Sequence, residues 1–242
     1  MKSERKYPIA VISEKGERSL KNGHVWVYGE EIRDIIGEAQ NGELVDVVNK
    51  KGRFLGTGYY NDNSKIRIRI ISKNANDKFD AAFYERRLRY CFEYRKTVMG
   101  DDFDCCRLVF GEADSFPGLT VDRFGDILVT QVLSLGTEKI KGILFPLMVK
   151  ILSEMGVTVK AVYERNDVAI REKEGLSENK GFFALPGLET NLDGKTVITE
   201  NGIRYNVDYI NGQKTGFFLD QKYNRLAAGK IAKGKTVLDC FT

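Results

Sequence analysis

Residues 65–71 read Lys-Ile-Arg-Ile-Arg-Ile-Ile, a strict alternation of cation and isoleucine. Side chains of a strand point alternately to its two faces. The isoleucines therefore demand a core on one side, and the cations must face out on the other. Shorter β-prone runs precede this one: Pro8–Ile12, Leu44–Val48 and Phe54–Tyr60, each bounded by Asn, Gly or Lys. Several short strands so close together predict a small barrel over about residues 1–73.

The polar, aperiodic stretch 72–78 reads as a linker. Beyond it the spacing of Phe79, Phe83, Leu88, Cys91 and Phe92 predicts a helix from Phe79 to about Val98. Leu119–Arg123 and Ile127–Leu133 flank the turn Phe124-Gly125-Asp126, a hairpin signal. Residues 138–155 read as a helix that Pro146 should kink or interrupt. Ala161–Glu164 is a further strand, and Thr196–Thr199 and Ile203–Tyr209 bracket Asn201-Gly202, the strongest short hairpin signal. Then comes a loop, Asn211–Gly216, and Asp220 is placed to cap a helix from Gln221 to about Ala232. Thr236–Thr242 reads as a buried strand. A helix followed by an apolar strand ending in Asp is how a doubly wound α/β domain begins. Such a domain needs on the order of 100–150 residues, so the expectation is that this chain is the front part of a longer protein.

Composition narrows the function. With 42% apolar and 30% charged residues the chain can bury packed cores. No apolar run reaches the length of a membrane span, and the opening Met1–Lys6 lacks the apolar stretch of a signal peptide. Cys91, Cys105, Cys106 and Cys240 follow no C-x-x-C spacing, and His24 is the only histidine. No zinc site and a reduced, cytoplasmic protein are expected. Net charge is +4, and residues 1–75 carry all of it, with 14 basic against 10 acidic groups. Such a surplus permits contact with a polyanion without demanding it.

Individual motifs stay ambiguous on spacing alone. Lys65, Arg67 and Arg69 would stand about 6.6 Å apart along a strand, close enough to track a phosphate backbone. A solvated face that discourages edge pairing is the simpler reading. Gly23–Tyr28 holds His24 and Trp26: either an RNA-facing loop with a stacking ring or a core tryptophan beside a satisfied histidine. Asp122-Arg123 with Asp126, Tyr163–Asp167 and Arg171–Glu174 can each bind substrate, and more simply each ties a turn together. Asn211–Gln221 sets Gly-flanked backbone and two aromatics ahead of a helix N-terminus, which suits a flat ring and a carboxylate. A tight turn with two core phenylalanines is the alternative.

Taken together, Gly23–Tyr28, Ser115–Asp126, Tyr163–Val168, Gln213–Gln221 and Val237–Thr242 resemble the RlmI-type family of S-adenosylmethionine-dependent methyltransferases, which modify C5 of cytosine in 23S ribosomal RNA. Five pieces in the right order span the whole chain. The resemblance implies an α+β multidomain fold: an N-terminal PUA-like RNA-binding β-barrel (1–73), a central α+β domain (79–195) and the beginning of a Rossmann-like α/β methyltransferase domain (196–242). It implies S-adenosylmethionine as cofactor and ribosomal RNA as partner, with no membrane and no metal, and it admits a homodimer. Lys214, Thr215, Gly216, Phe217, Phe218, Asp220, Gln221, Arg225 and Asp239 are the implied cofactor residues. Lys21, His24, Arg53, Lys65, Arg67 and Arg69 are the implied RNA contacts. The family's cysteine nucleophile and acidic partner are expected beyond Thr242, so no catalytic residue is assigned among those present. Two alternatives stand beside this reading: an RNA-binding module without catalysis, and a methyltransferase for a different RNA base.

Overall fold

In the computed structural model residues 5–238 and Cys240 are described. The chain builds two sheets and a separate hairpin. The first sheet uses β1 (Ile9–Ile12), β2 (Trp26–Tyr28), β3 (Ile32–Ile36), β4 (Leu44–Val48), β5 (Phe54–Tyr60) and β6 (Ile66–Ser72), in the order β2-β6-β5-β4-β1-β3. Only β1 and β4 run parallel; the other neighbours are antiparallel. Helix α1 (Glu14–Lys21) follows β1, and the Ser13 hydroxyl accepts a bond from the Gly16 amide at its start. Residues from β1, β2, β4 and β6 share one core with Leu20 of α1, so the sheet curls on itself. Ile68 and Ile70 point into that core, as the alternation requires.

Next come α2 (Ala81–Met99), β7 (Cys105–Phe110), β8 (Leu119–Phe124), β9 (Ile127–Val132), α3 (Leu135–Glu154), β10 (Ala161–Asn166) and β11 (Asn179–Phe182). Strand order is β11-β10-β9-β8-β7, with β9 and β10 parallel and joined by the α3 crossover. Asp80 caps α2 by accepting from the Phe83 amide, so the helix starts two residues later than expected. Helices α2 and α3 cover one face of this sheet, and their aromatic and aliphatic side chains form the largest core. The hairpin β12 (Lys195–Glu200) and β13 (Ile203–Asp208) covers the opposite face, burying Ile198, Val207 and Tyr209 against Phe124, Val129 and Tyr163. Its turn is Asn201-Gly202, both at positive φ, as this hairpin class requires.

Four expectations are corrected. Helix α3 runs through Pro146 without a break. The carbonyl that loses its partner belongs to Gly142, and both residues are exposed, so water can replace the bond. The linker read over 72–78 begins one residue later, at Lys73, and is tied down. Ser72 ends β6, its hydroxyl bonds Asp77 at 2.5 Å, and the Lys73 ammonium bonds the Leu20 carbonyl at 2.7 Å. Asp220 is not the helix cap: it sits in a 3-10 turn, Leu219–Gln221, and Gln221 precedes the last helix, α4 (Lys222–Ala232). Finally, 236–238 form no strand, and Val237 and Leu238 are exposed. An extended apolar segment becomes a strand only against a hydrogen-bonding neighbour, and none of the described strands lies beside these residues. Asp239 and the expected strand's last two residues lie outside the described residues.

Candidate functional site

Two places gather the implied residues. The first is the loop leading into α4. Thr215 is buried, and its hydroxyl donates to Asp122 Oδ2 at 2.6 Å. The same Asp122 carboxylate, fully buried on β8, accepts two parallel bonds from Arg107 at 2.7 and 2.9 Å. From β10, Arg165 donates to the carbonyls of Tyr209 and Gly212 at 3.1 and 2.9 Å. The loop is thus fastened to the second sheet at two points. Gly216 makes its close approach possible: φ is +126°, and a Cβ there would meet Tyr209 Cα at 2.9 Å.

Beyond this anchor the implied cofactor residues divide. Lys214, Phe218, Asp220 and Gln221 are exposed on one turn. The Lys214 ammonium lies 4.4 Å from the Phe218 ring centroid and 3.1 Å from an Asp220 oxygen. That hydrogen bond holds the Asp220 carboxyl below the usual carboxylate range. Phe217 and Arg225 face the other way. Phe217 packs on Tyr205 in the third core, and the Arg225 guanidinium stands over its ring at 4.5 Å. Arg225 makes a fork to Glu200, which is 1% exposed, at 2.6 and 2.8 Å, and also bonds the Phe218 carbonyl at 2.9 Å. Those two residues set the turn's shape. Asp239, implied with them, lies outside the described residues.

The second place is the seam between the two sheets. Trp26, Arg69 and Tyr59 are cross-strand neighbours on β2, β6 and β5. At Arg69 the cation-bearing face of β6 is therefore covered rather than solvated. Arg69 donates to Glu112 at 3.0 Å and to Glu174 at 2.8 Å, and Trp26 Nε1 donates to the same Glu112 oxygen at 2.9 Å. Glu174 also accepts from Ser64 at 2.5 Å and Asn61 at 3.1 Å. The Tyr59 and Tyr84 hydroxyls meet at 2.7 Å. Within the second unit, buried Arg171 bonds the Val132 carbonyl and Glu138. Asp122, Arg165, Arg171 and Glu174 thus tie segments distant in sequence, where the sequence pointed only to local turns.

The implied RNA contacts are spread along the first sheet. Lys65 is exposed, Arg67 bonds the backbone and carboxylate of Asp62, and Arg69 is committed to the seam. His24 is exposed, with Nδ1 accepting from the Trp26 amide at 3.3 Å. Lys21 and Arg53 meet Lys50 and Lys51 around a shallow hollow at the end of α1. Lys21 is paired there with Glu17 at 2.6 Å.

No group of side chains suited to a metal ion occurs among the described residues, and no described helix is long and apolar enough to cross a membrane. Burial pushes the thiols of Cys91, Cys105 and Cys106 up to about 12, the wrong direction for a nucleophile. Titration of the native chain with a chromogenic disulfide at pH 8 should therefore find only the exposed Cys240 reacting within minutes. The other three should react after denaturation. Rapid reaction of all four would contradict this packing.

A PUA-like domain family matches residues 11–73. The ribosomal RNA large subunit methyltransferase I of Pseudoalteromonas translucida is 40% identical over 227 residues, covering 93% of this chain and 55% of that protein. Its namesake in Klebsiella pneumoniae is 35% identical over 98% of the chain and 57% of the relative. The chain spans about half the length of the curated relatives it matches. Among solved structures, a candidate SAM-dependent methyltransferase of Streptococcus mutans superposes with a TM-score of 0.71 at 21% identity, over 91% of this chain and 54% of that one. A second, also at 0.71 and 21%, is a candidate methyltransferase complexed with SAH and covers 90% and 52%. These superpositions show the fold alone, an α+β multidomain architecture shared with those two proteins. Over nearly all of its length, the chain is similar in sequence to a little over half of the ribosomal RNA large subunit methyltransferases I of these organisms.

Proposed function

We propose that this chain is the RNA-holding and cofactor-lip part of an S-adenosylmethionine-dependent methyltransferase that modifies C5 of a cytosine in large-subunit ribosomal RNA. The observation that carries this is the 40% identity over 93% of the chain to a relative of that name. The proposed divisions are 1–73 for RNA, 79–195 as the central platform and 196–242 as the start of the methyltransferase unit. The reading places the protein in the cytoplasm, beside its ribosomal substrate.

The lip residues fit one wall of a cofactor site. Phe218 offers an exposed aromatic ring just before the 3-10 turn that leads into an 11-residue helix, with a cation and an ionised carboxylate beside it. Bound there, S-adenosylmethionine would supply an electrophilic methyl group. Phe218 would cover a flat ring, and Asp220 would accept from hydroxyl or amino donors. Lys214 would hold Asp220 in place. Thr215, through Asp122, and Arg225, through Glu200, would keep that turn from shifting when a ligand arrives. Phe218→Ala in the complete enzyme should weaken cofactor binding; an unchanged calorimetric affinity would remove Phe218 from the site.

On the RNA side, Lys21, His24, Arg53 and Lys65 present donors on the first sheet, and their contribution should be largely electrostatic. Affinity for single-stranded RNA should fall steeply with salt. Lys65→Ala and Arg53→Ala should each reduce the slope of log affinity against log salt by about 0.7. A slope near zero in the unmodified chain would sink the phosphate contacts.

The direct test of the reaction is methyl transfer from tritiated cofactor to protein-free 23S RNA by the gene product, with digestion to nucleosides. Label in 5-methylcytidine is the expected result. Label in another nucleoside would redirect the specificity. RNA binding without label would favour the second reading, an RNA-binding module without catalysis, which the PUA-like match over residues 11–73 supports on its own.

A further inference from the structure

The seam contains a cleft of about 590 Å³ that none of the contacts described above fills. That volume is in the range of small-ligand sites. Its walls come from both units: Trp26 and Lys65 from the first sheet, Glu112, Leu133, Ile170 and Lys173 from the second. We propose that this cleft receives one nucleotide of a single-stranded RNA segment, its base against Trp26 and Ile170 and its phosphate between Lys65 and Lys173. The proposal rests on the RNA reading above and adds to it a discrete base pocket, with two residues, Ile170 and Lys173, from outside the PUA-like unit.

Two observations favour a nucleotide. The wall is apolar where a ring would lie: Ile170 is 47% exposed on a short 3-10 turn, opposite a half-buried indole. An aromatic wall takes any base, because every base has a π-face. The charge at the mouth suits an anion. Arg69, Glu112 and Glu174 are committed to one another in the wall. Lys65 and Lys173, both exposed, have no carboxylate partner among the described residues. Apolar ring contact with two free ammonium groups beside it matches a base joined to a phosphate. The shared edge of Trp26 and Glu112 also makes the cleft dependent on the docked units.

Trp26 is the only tryptophan in the chain, so its emission reports on this cleft alone. The experiment titrates the whole chain with a ten-nucleotide oligouridylate and, separately, with adenosine monophosphate, following Trp26 fluorescence. A fluorescein-labelled copy of the decamer is followed in parallel by anisotropy. Saturable quenching by the decamer is expected, with the monophosphate acting only at much higher concentration. Ile170→Ala and Lys173→Ala change exposed side chains, should leave the circular dichroism spectrum intact, and should each weaken decamer binding by roughly 5–10-fold. Anisotropy that reports binding while emission stays constant and Lys173→Ala binds normally would overturn the pocket and leave the RNA reading standing. Absence of decamer binding in both measurements would remove both. A monophosphate that binds more tightly than the decamer would overturn the RNA strand as the occupant.

Discussion

Asp122→Ala is expected to destabilise the second unit by about 2 kcal/mol, because it removes the buried acceptor shared by the part-exposed Arg107 and the buried Thr215 hydroxyl. Arg107 would keep its charge with no carboxylate to take its two bonds, and the buried Thr215 hydroxyl would lose its acceptor. The effect should reach beyond stability. Thr215 is one of the two fastenings of the loop before α4, and Arg165 is the other. Cutting one should release the Asn211–Gly216 segment without unfolding the hairpin. Tryptic cleavage after Lys214 and loss of amide protection across β7 and β8 should both rise by more than tenfold, since 1.4 kcal/mol already corresponds to a factor of ten. Asp122→Asn keeps the shape but offers one acceptor oxygen instead of two, and should give an intermediate result. A variant that cleaves at the wild-type rate would mean that the loop is held by its own turns.

Arg69→Ala should be costlier, about 3 kcal/mol, and its readout is the docking of the two units. It strands Glu174, whose side chain is 5% exposed and whose carboxylate also organises Asn61 and Ser64. Glu112 would keep only Trp26. Trp26 emission should shift to the red as the seam admits water, and denaturant unfolding should separate into two transitions. Arg69→Lys keeps the charge but cannot reach two carboxylates with one ammonium group, so it should recover only part of the loss. A single unshifted transition in Arg69→Ala would show that Tyr59–Tyr84 and the bonds of Asn61 and Ser64 to Glu174 suffice to hold the units together.

These two residues also mark the limits of pattern reading. The alternation at 65–71 correctly assigned which side chains enter the core: Ile68 and Ile70 are buried. It could not say what would cover the opposite face. Arg69 was legible as a cation on a strand; that it meets Glu112 and Glu174, 43 and 105 residues away, was not. The same holds for Asp122. Its sequence neighbourhood reads as a hairpin, and the hairpin is there. Its partner Thr215 lies 93 residues further on. Phe217 and Phe218, adjacent and chemically alike, were read as one pair of ring contacts. Packing against Tyr205 assigns the first to a core and leaves the second exposed.

Local signals were therefore sufficient wherever the physics is local. Period two identified β6, Asn201-Gly202 the β12–β13 turn, and apolar spacing the buried face of α2. Backbone torsion and nearest-neighbour burial decide those features, and both are written in a few consecutive residues. The path of α3 through Pro146 and the exposed state of Val237 and Leu238 depended on surroundings: solvent at Gly142 in one case, the lack of an adjoining described strand in the other. Pairing of charges across the seam and anchoring of the loop before α4 arise only when distant segments meet. A buried carboxylate is stable only beside a suitable donor, and which donor arrives is a property of the packed chain.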